Sequence, residues 1–91
     1  MTVTLKGYID VPTDRIDAVR AGLAEHIRLS RAEPGCIRFD MHEGENGRFF
    51  VDEEFVDPDA FRHHQARNRA SPWWKVTEGI PRHFDVSGFD E

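Results

Sequence analysis

The chain has 91 residues, with 17 acidic and 12 basic side chains and a net charge of −5. That balance excludes a nucleic-acid or anionic-membrane partner, either of which needs clustered Lys and Arg, and the single cysteine, Cys36, excludes an intrachain disulfide. A hydrophobic share of 38% and a mean hydropathy of −0.62 are lean for so short a chain, so residues 1–91 are expected to form a single domain that gains buried area as a homodimer.

Val3 to Val11 alternates, with Val3, Leu5, Gly7 and Ile9 on one face and Thr4, Lys6, Tyr8 and Asp10 on the other. This is the pattern of a half-buried strand, and Pro12 ends it. Thr13 is placed to cap a helix whose first turn carries Asp14 and Asp17. Ile16, Val19, Leu23 and Ile27 recur at steps of three and four, which carries that helix to Ser30 or Arg31. Glu33-Pro34-Gly35 reads as a turn. Cys36 to His42 alternates again, with Ile37, Phe39 and Met41 facing inward and Arg38, Asp40 and His42 outward. Asn46-Gly47 supplies a tight connection to a hairpin partner, Arg48 to Val56. Arg38 and Asp40 then stand opposite Asp52 and Glu54.

Asp57-Pro58 is a cap followed by proline at the first helical position. The helix it opens reaches about Asn68 and puts Phe61, His64 and Asn68 on one face. Ser71-Pro72 repeats the signal and opens a short helix bearing Trp73, Trp74 and Val76, stopped by Gly79 and Pro81. Arg82 to Gly88 reads as a last strand, with Phe84 and Val86 opposed to His83, Asp85 and Ser87. No basic segment followed by a long apolar run opens the chain, and no run approaches the roughly 20 residues that span a bilayer. A cytoplasmic location is expected.

The order βαββαβ, with its second helix broken, predicts an α+β ferredoxin-like fold: a four-stranded antiparallel sheet with helices on one face. The other face carries Thr4, Lys6, Tyr8, Arg38, Asp40, Phe50, Asp52 and Val56. It is too apolar for water alone and too charged for a dry core, as suits the sheet of a second copy.

Three segments, Glu33-Pro-Gly-Cys-Ile-Arg-Phe-Asp40, Phe49-Phe-Val-Asp-Glu53-Glu-Phe55 and Asp57-Pro-Asp-Ala-Phe61-Arg-His-His64-Gln65, together resemble the antibiotic biosynthesis monooxygenase domain family. The resemblance runs essentially end to end and implies a dimeric α+β barrel with a pocket between sheet and helices. It implies several activities: cofactor-independent oxygenases of aromatic quinols, haem-degrading enzymes, and an isomerase of a phosphorylated molecule. Glu53, Phe55 and His64 match the family pattern. The family's usual Ser-Pro stands three residues after the histidine, whereas here Ser71-Pro72 comes seven residues on, and the added stretch is expected to lengthen the helix and reshape the pocket mouth.

The reading is then a monooxygenase-like enzyme acting on a small aromatic quinol with dioxygen and no cofactor. A different enzyme on the same scaffold, or a non-enzymatic dimer that binds a small ligand, is the alternative. Strand parity puts Glu53 on the apolar, helix-facing side, where a carboxylate is paired or protonated; it is expected to act as a base or to orient His64. His64, on the sheet-facing side of its helix, is the expected proton acceptor. Phe55 with one of Trp73 and Trp74 is expected to hold the ring, since only one of two adjacent tryptophans faces inward. Tyr8 and Arg67 are weaker candidates, for a phenol hydrogen bond and for gripping an anion. The histidines, His26, His42, His63, His64 and His83, lack metal-ligand spacing on any helix, and no metal site is expected.

Overall fold

The computed structural model describes residues 1–89. Four strands, β1 (Val3–Asp10), β2 (Cys36–Glu43), β3 (Arg48–Phe55) and β4 (Arg82–Ser87), form one antiparallel sheet in the order β2-β3-β1-β4. Helices α1 (Ile16–Arg31), α2 (Pro58–Arg69) and α3 (Pro72–Thr77) complete the ferredoxin-like βαββαβ order. None is long and apolar enough to cross a membrane, among the described residues.

The inward residues of β1 and β3 carry most of the packing. Val3, Leu5, Val51 and Phe55 meet Phe39 of β2 and Phe61 of α2 in one buried cluster. Ile9, Val11 and Phe49 meet Val19 of α1, Trp73 of α3 and Ile80 in a second. The hairpin between β2 and β3 turns on Asn46 and Gly47, both with positive φ, at 58° and 79°. Asn-Gly was the expected pair, and the reason is steric: few side chains tolerate that region.

Local differences from the sequence reading have simple causes. Thr13 does not cap α1; Thr13–Arg15 form a 3₁₀ turn instead, closed by Arg15 N–H donating to the Pro12 carbonyl at 2.9 Å. Ile37, expected inward, is exposed. A register shift between Cys36 and Arg38 leaves it without a partner on β3, and the bulge turns Cys36 toward the core in its place. Asp40 does not pair across the hairpin, because it lies opposite Asp52 and the two charges repel. Arg38 takes both Asp52 and Glu54, at 2.7 and 2.8 Å, and Asp40 turns to Arg31 at 2.8 Å.

The two proline-led helices start where expected but are capped differently. Asp57 accepts from the Ala60 N–H at 2.8 Å, whereas the Ser71 hydroxyl turns back and donates to the Asn68 carbonyl at 2.7 Å. At its far end α3 is held by Arg15, whose guanidinium donates to the carbonyls of Glu78 and Lys75 at 2.6 and 3.1 Å.

Gly7 lets β4 approach β1. A Cβ there would stand 1.9 Å from the His83 carbonyl oxygen and 2.9 Å from the Phe84 Cα. Gly7→Ala is expected to destabilise the fold by about 3 kcal/mol or more, through strand separation. A shift of the urea midpoint to lower concentration measures it, and an unchanged midpoint would show that β4 has room to move.

Candidate functional site

Between the sheet and the proline-led helices lies a cavity of about 230 Å³. The sheet contributes Leu5, Glu53, Arg82 and Phe84; α2 contributes His64, Gln65, Asn68 and Arg69; α3 contributes Trp74. Helix α2 thus supplies much of one wall.

His64 reaches the cavity because steps of three and four align it with Phe61 and Asn68. It is only 3% exposed, with its ring centroid 4.9 Å from that of Phe55 and 5.4 Å from that of Phe39. Its Nδ1 lies 2.8 Å from Glu33 Oε1, in the turn between α1 and β2. The other Glu33 oxygen accepts from Arg67 Nε, and Arg67 Nη2 donates to Ser30 Oγ at 2.9 Å. Burial pushes the Glu33 carboxyl up, but the hydrogen bonds from His64 and Arg67, with the Arg67 charge, outweigh it and hold Glu33 below the usual carboxylate range. An ionised carboxylate only accepts, so His64 Nδ1 carries the hydrogen. In the neutral ring, the lone pair then sits on Nε2.

His64 Nε2 lies 3.6 Å from Glu53 Oε1, too far for a hydrogen bond. Glu53 is 6% exposed, and its Oε1 has no hydrogen-bond partner. Burial, with smaller contributions from the charges of Glu33 and Asp52, raises its pKa to about 8. At neutral pH this carboxyl holds its proton. The contact expected of Glu53, orienting His64, is made by Glu33.

The aromatic residues divide between the cavity and its surroundings. Trp74 lines the cavity, with the Arg82 guanidinium 4.6 Å above its ring. Trp73 turns toward α1 and stacks on His26, with centroids 4.5 Å apart and an interplanar angle of 7°. Phe55 lies behind His64 in the apolar cluster and does not reach the cavity wall. Tyr8 is on the opposite face of the sheet, 3.8 Å beneath the Arg48 guanidinium, because even-numbered residues of β1 point away from the helices. Arg67 is engaged by Glu33 and Ser30 and borders a separate cleft between α1 and α3, so it does not reach into the cavity to grip an anion.

Glu33, Asn68 and Arg82 complete the arrangement without having been singled out in the sequence. Asn68 shares the helical face of His64, and Arg82 shares strand parity with Phe84; those two signals were present. Glu33 sits in a turn, where no periodicity tells which way a side chain points. Among the described residues no group of three His, Cys, Asp or Glu side chains is arranged to hold a metal ion.

A family model described as antibiotic biosynthesis monooxygenase matches residues 2–73. A Nitrosomonas europaea protein carrying that same family name has a solved structure that superposes with a TM-score of 0.79 at 24% identity, over 96% of this chain and 88% of that one. Rv0793 from Mycobacterium tuberculosis superposes with a TM-score of 0.74 at 25% identity, over 100% and 98% of the two chains. MupZ from Pseudomonas fluorescens gives 0.76 at 20% identity, over 93% of this chain and 66% of that one. No curated protein matches the chain.

The Glu53 proton sets a pH dependence of stability. The folded chain keeps that proton up to about pH 8, whereas the unfolded chain releases it near the ordinary value of 4.5. The stability it contributes is complete below the lower value and is lost as pH rises through the upper one. Glu53→Gln is expected to remove this decline and to exceed the natural protein by about 1–3 kcal/mol at alkaline pH, the range for relieving a buried, unmatched polar group. Urea midpoints measured across that window check it; parallel profiles for the two proteins would rule it out.

Proposed function

Because the chain belongs to the antibiotic biosynthesis monooxygenase family, we propose that it oxidises a small aromatic quinol, or a related enolisable ring, with dioxygen and without a cofactor. The observation that carries this reading is His64: Nδ1 is tied to an ionised Glu33, and Nε2 is directed toward Glu53 at the edge of a cavity walled by Trp74 and Phe84. Such an imidazole is a general base with its tautomer set in advance.

His64 Nε2 takes the proton of a ring hydroxyl. The electron-rich anion that remains gives an electron pair to dioxygen, forming a carbon–oxygen bond and a peroxide. Loss of the hydrogen from the peroxide-bearing carbon as a proton, with cleavage of the O–O bond, leaves one oxygen on the ring as a carbonyl; the departing hydroxide carries one proton and takes the other back from His64, leaving as water. Arg82 lies at the wall, where a cation stabilises the developing oxyanion. Protonated Glu53 keeps a second negative charge away from that anion and offers it a hydrogen-bond donor. The cavity, at about 230 Å³, is below the usual range of about 300–1,000 Å³ for ligand pockets. It suits a compact ring system better than a porphyrin, which favours the quinol reading over haem degradation.

The sheet face away from the helices supports association with a second copy. A row of rings crosses all four strands: His42 against Phe50 at 5.2 Å, Phe50 against Tyr8 at 6.4 Å, and Tyr8 against His83 at 4.8 Å between centroids. Phe50 and Val56 are exposed there, flanked by the Arg38 pairs, and a second sheet covers such a face with both apolar and polar contacts.

Oxygen uptake with a panel of small quinols tests the chemistry. His64→Ala is expected to lower kcat by about 10²-fold or more. Glu33→Gln, which cannot hold Arg67 and His64 as an anion does, is expected to lower kcat with little change in KM. An unaltered rate in His64→Ala would end the oxygenase reading. For the association, Phe50→Lys is expected to shift the mass in light scattering from dimer to monomer, and a natural protein already monomeric would refute it.

A further inference from the structure

Four buried side-chain atoms among the described residues have no hydrogen-bond partner: His26 Nδ1, Arg38 Nε, Glu53 Oε1 and Asn68 Oδ1. Each such atom costs about 1–3 kcal/mol, and native interiors hold few of them. Three of the four belong to residues that line one void of about 40 Å³. That void adjoins the larger cavity and shares Glu53, His64, Asn68, Arg82 and Phe84 with it. Its remaining wall is mostly apolar, from Ile9, Met41 and Val51. The other polar group there, the Thr77 hydroxyl, is already committed to the Trp73 carbonyl at 2.9 Å.

Three residues that each carry an unmatched polar atom line one small space, which indicates a shared polar partner. By this measure about 10–15 Å³ is enough for one water molecule, so the void admits a ring's oxygen substituent with some room beside it. We infer that this void is a head-group subsite in which His26 and Asn68 bind a hydroxyl group projecting from the ring of an aromatic ligand seated in the larger cavity, the hydroxyl donating to Asn68 Oδ1. The inference rests on the reading of that cavity as an aromatic-ligand site and adds to it a polar substituent at a defined end.

The residues suit the task. His26 is pinned between the Trp73 face and the edge of Phe39, whose centroid is 5.3 Å away, so its ring has little freedom to turn from the void. Burial, with a smaller contribution from the Arg67 charge, depresses its pKa to about 3 and keeps the ring neutral, and a neutral imidazole nitrogen either donates or accepts according to tautomer. Asn68 offers an amide, and protonated Glu53 a donor. A hydroxyl both donates and accepts, so it satisfies more of these groups than any other single-oxygen substituent. A methyl ether does not donate, so it leaves Asn68 Oδ1 unmatched.

Calorimetric titration under argon with 1-naphthol and 1-methoxynaphthalene tests this without any turnover. The natural protein is expected to bind the naphthol about tenfold more tightly, the equivalent of one hydrogen bond. His26→Phe, which keeps a ring against Trp73, and Asn68→Leu are each expected to reduce that preference to about threefold or less, by weakening the naphthol more than the ether. In the natural protein, the ¹⁵N resonance of His26 Nδ1 is expected to shift with naphthol and not with the ether, a readout that survives even if a variant fails to fold. Equal affinity for the two ligands, no binding of either, or an undiminished preference in both variants would overturn the subsite. A protein that prefers naphthol but consumes no oxygen with any quinol keeps the subsite and loses the oxygenase reading; one that consumes oxygen without this preference does the reverse.

Discussion

Glu33 is a buried carboxylate that ties the turn after α1 to two side chains of α2, His64 and Arg67. Burying a negative charge is costly unless it is matched in both charge and hydrogen bonds. Here one oxygen takes the imidazole N–H and the other takes the guanidinium, so both needs are met by one helix. Much else follows. The tautomer of His64 is decided, Arg67 is withdrawn from the cavity, and the negative potential of Glu33 adds to the burial that keeps Glu53 protonated.

The two buried carboxyl groups therefore hold opposite states in one interior. Glu33 has cationic and N–H partners and is ionised; Glu53 has neither and keeps its proton. Environments that push neighbouring titratable groups apart give one fold both an anion and a neutral acid at the same pH. His64 lies between them, with one nitrogen bonded to the anion and the other facing the acid. The polar groups run from Glu33 in the turn after α1, through His64, to Glu53 at the cavity.

Periodicity made much of this legible. Alternation in β1 and β3 placed Glu53 among inward residues, and helical spacing placed His64 with Phe61; the structure has both there. Where periodicity lapses, so did the reading. The bulge after Cys36 displaces Ile37 by one residue and reverses its face. Glu33 is in a turn and belongs to no repeat, yet it makes the closest contact to His64. Trp73 and Trp74 are adjacent on a short helix, and which of them lines the cavity depends on how α3 packs against α1, a tertiary matter. Tyr8 carried a contradiction that parity alone resolves, since it stands on the bare face with Thr4 and Lys6.

Helix α3 has six residues, fewer than a helix needs to persist by its own hydrogen bonds in water. It is held by Trp73 against His26 and by the Arg15 guanidinium on its final carbonyls. Its local free energy of opening is thus set by a few contacts with α1, not by the ladder of the sheet. Segments of this kind exchange their amide hydrogens through sub-global fluctuations while the strands stay protected. Because Trp74 rides on this helix, each such fluctuation carries away one wall of the cavity, and the shape of the site is then set by the breathing of its least cooperative element.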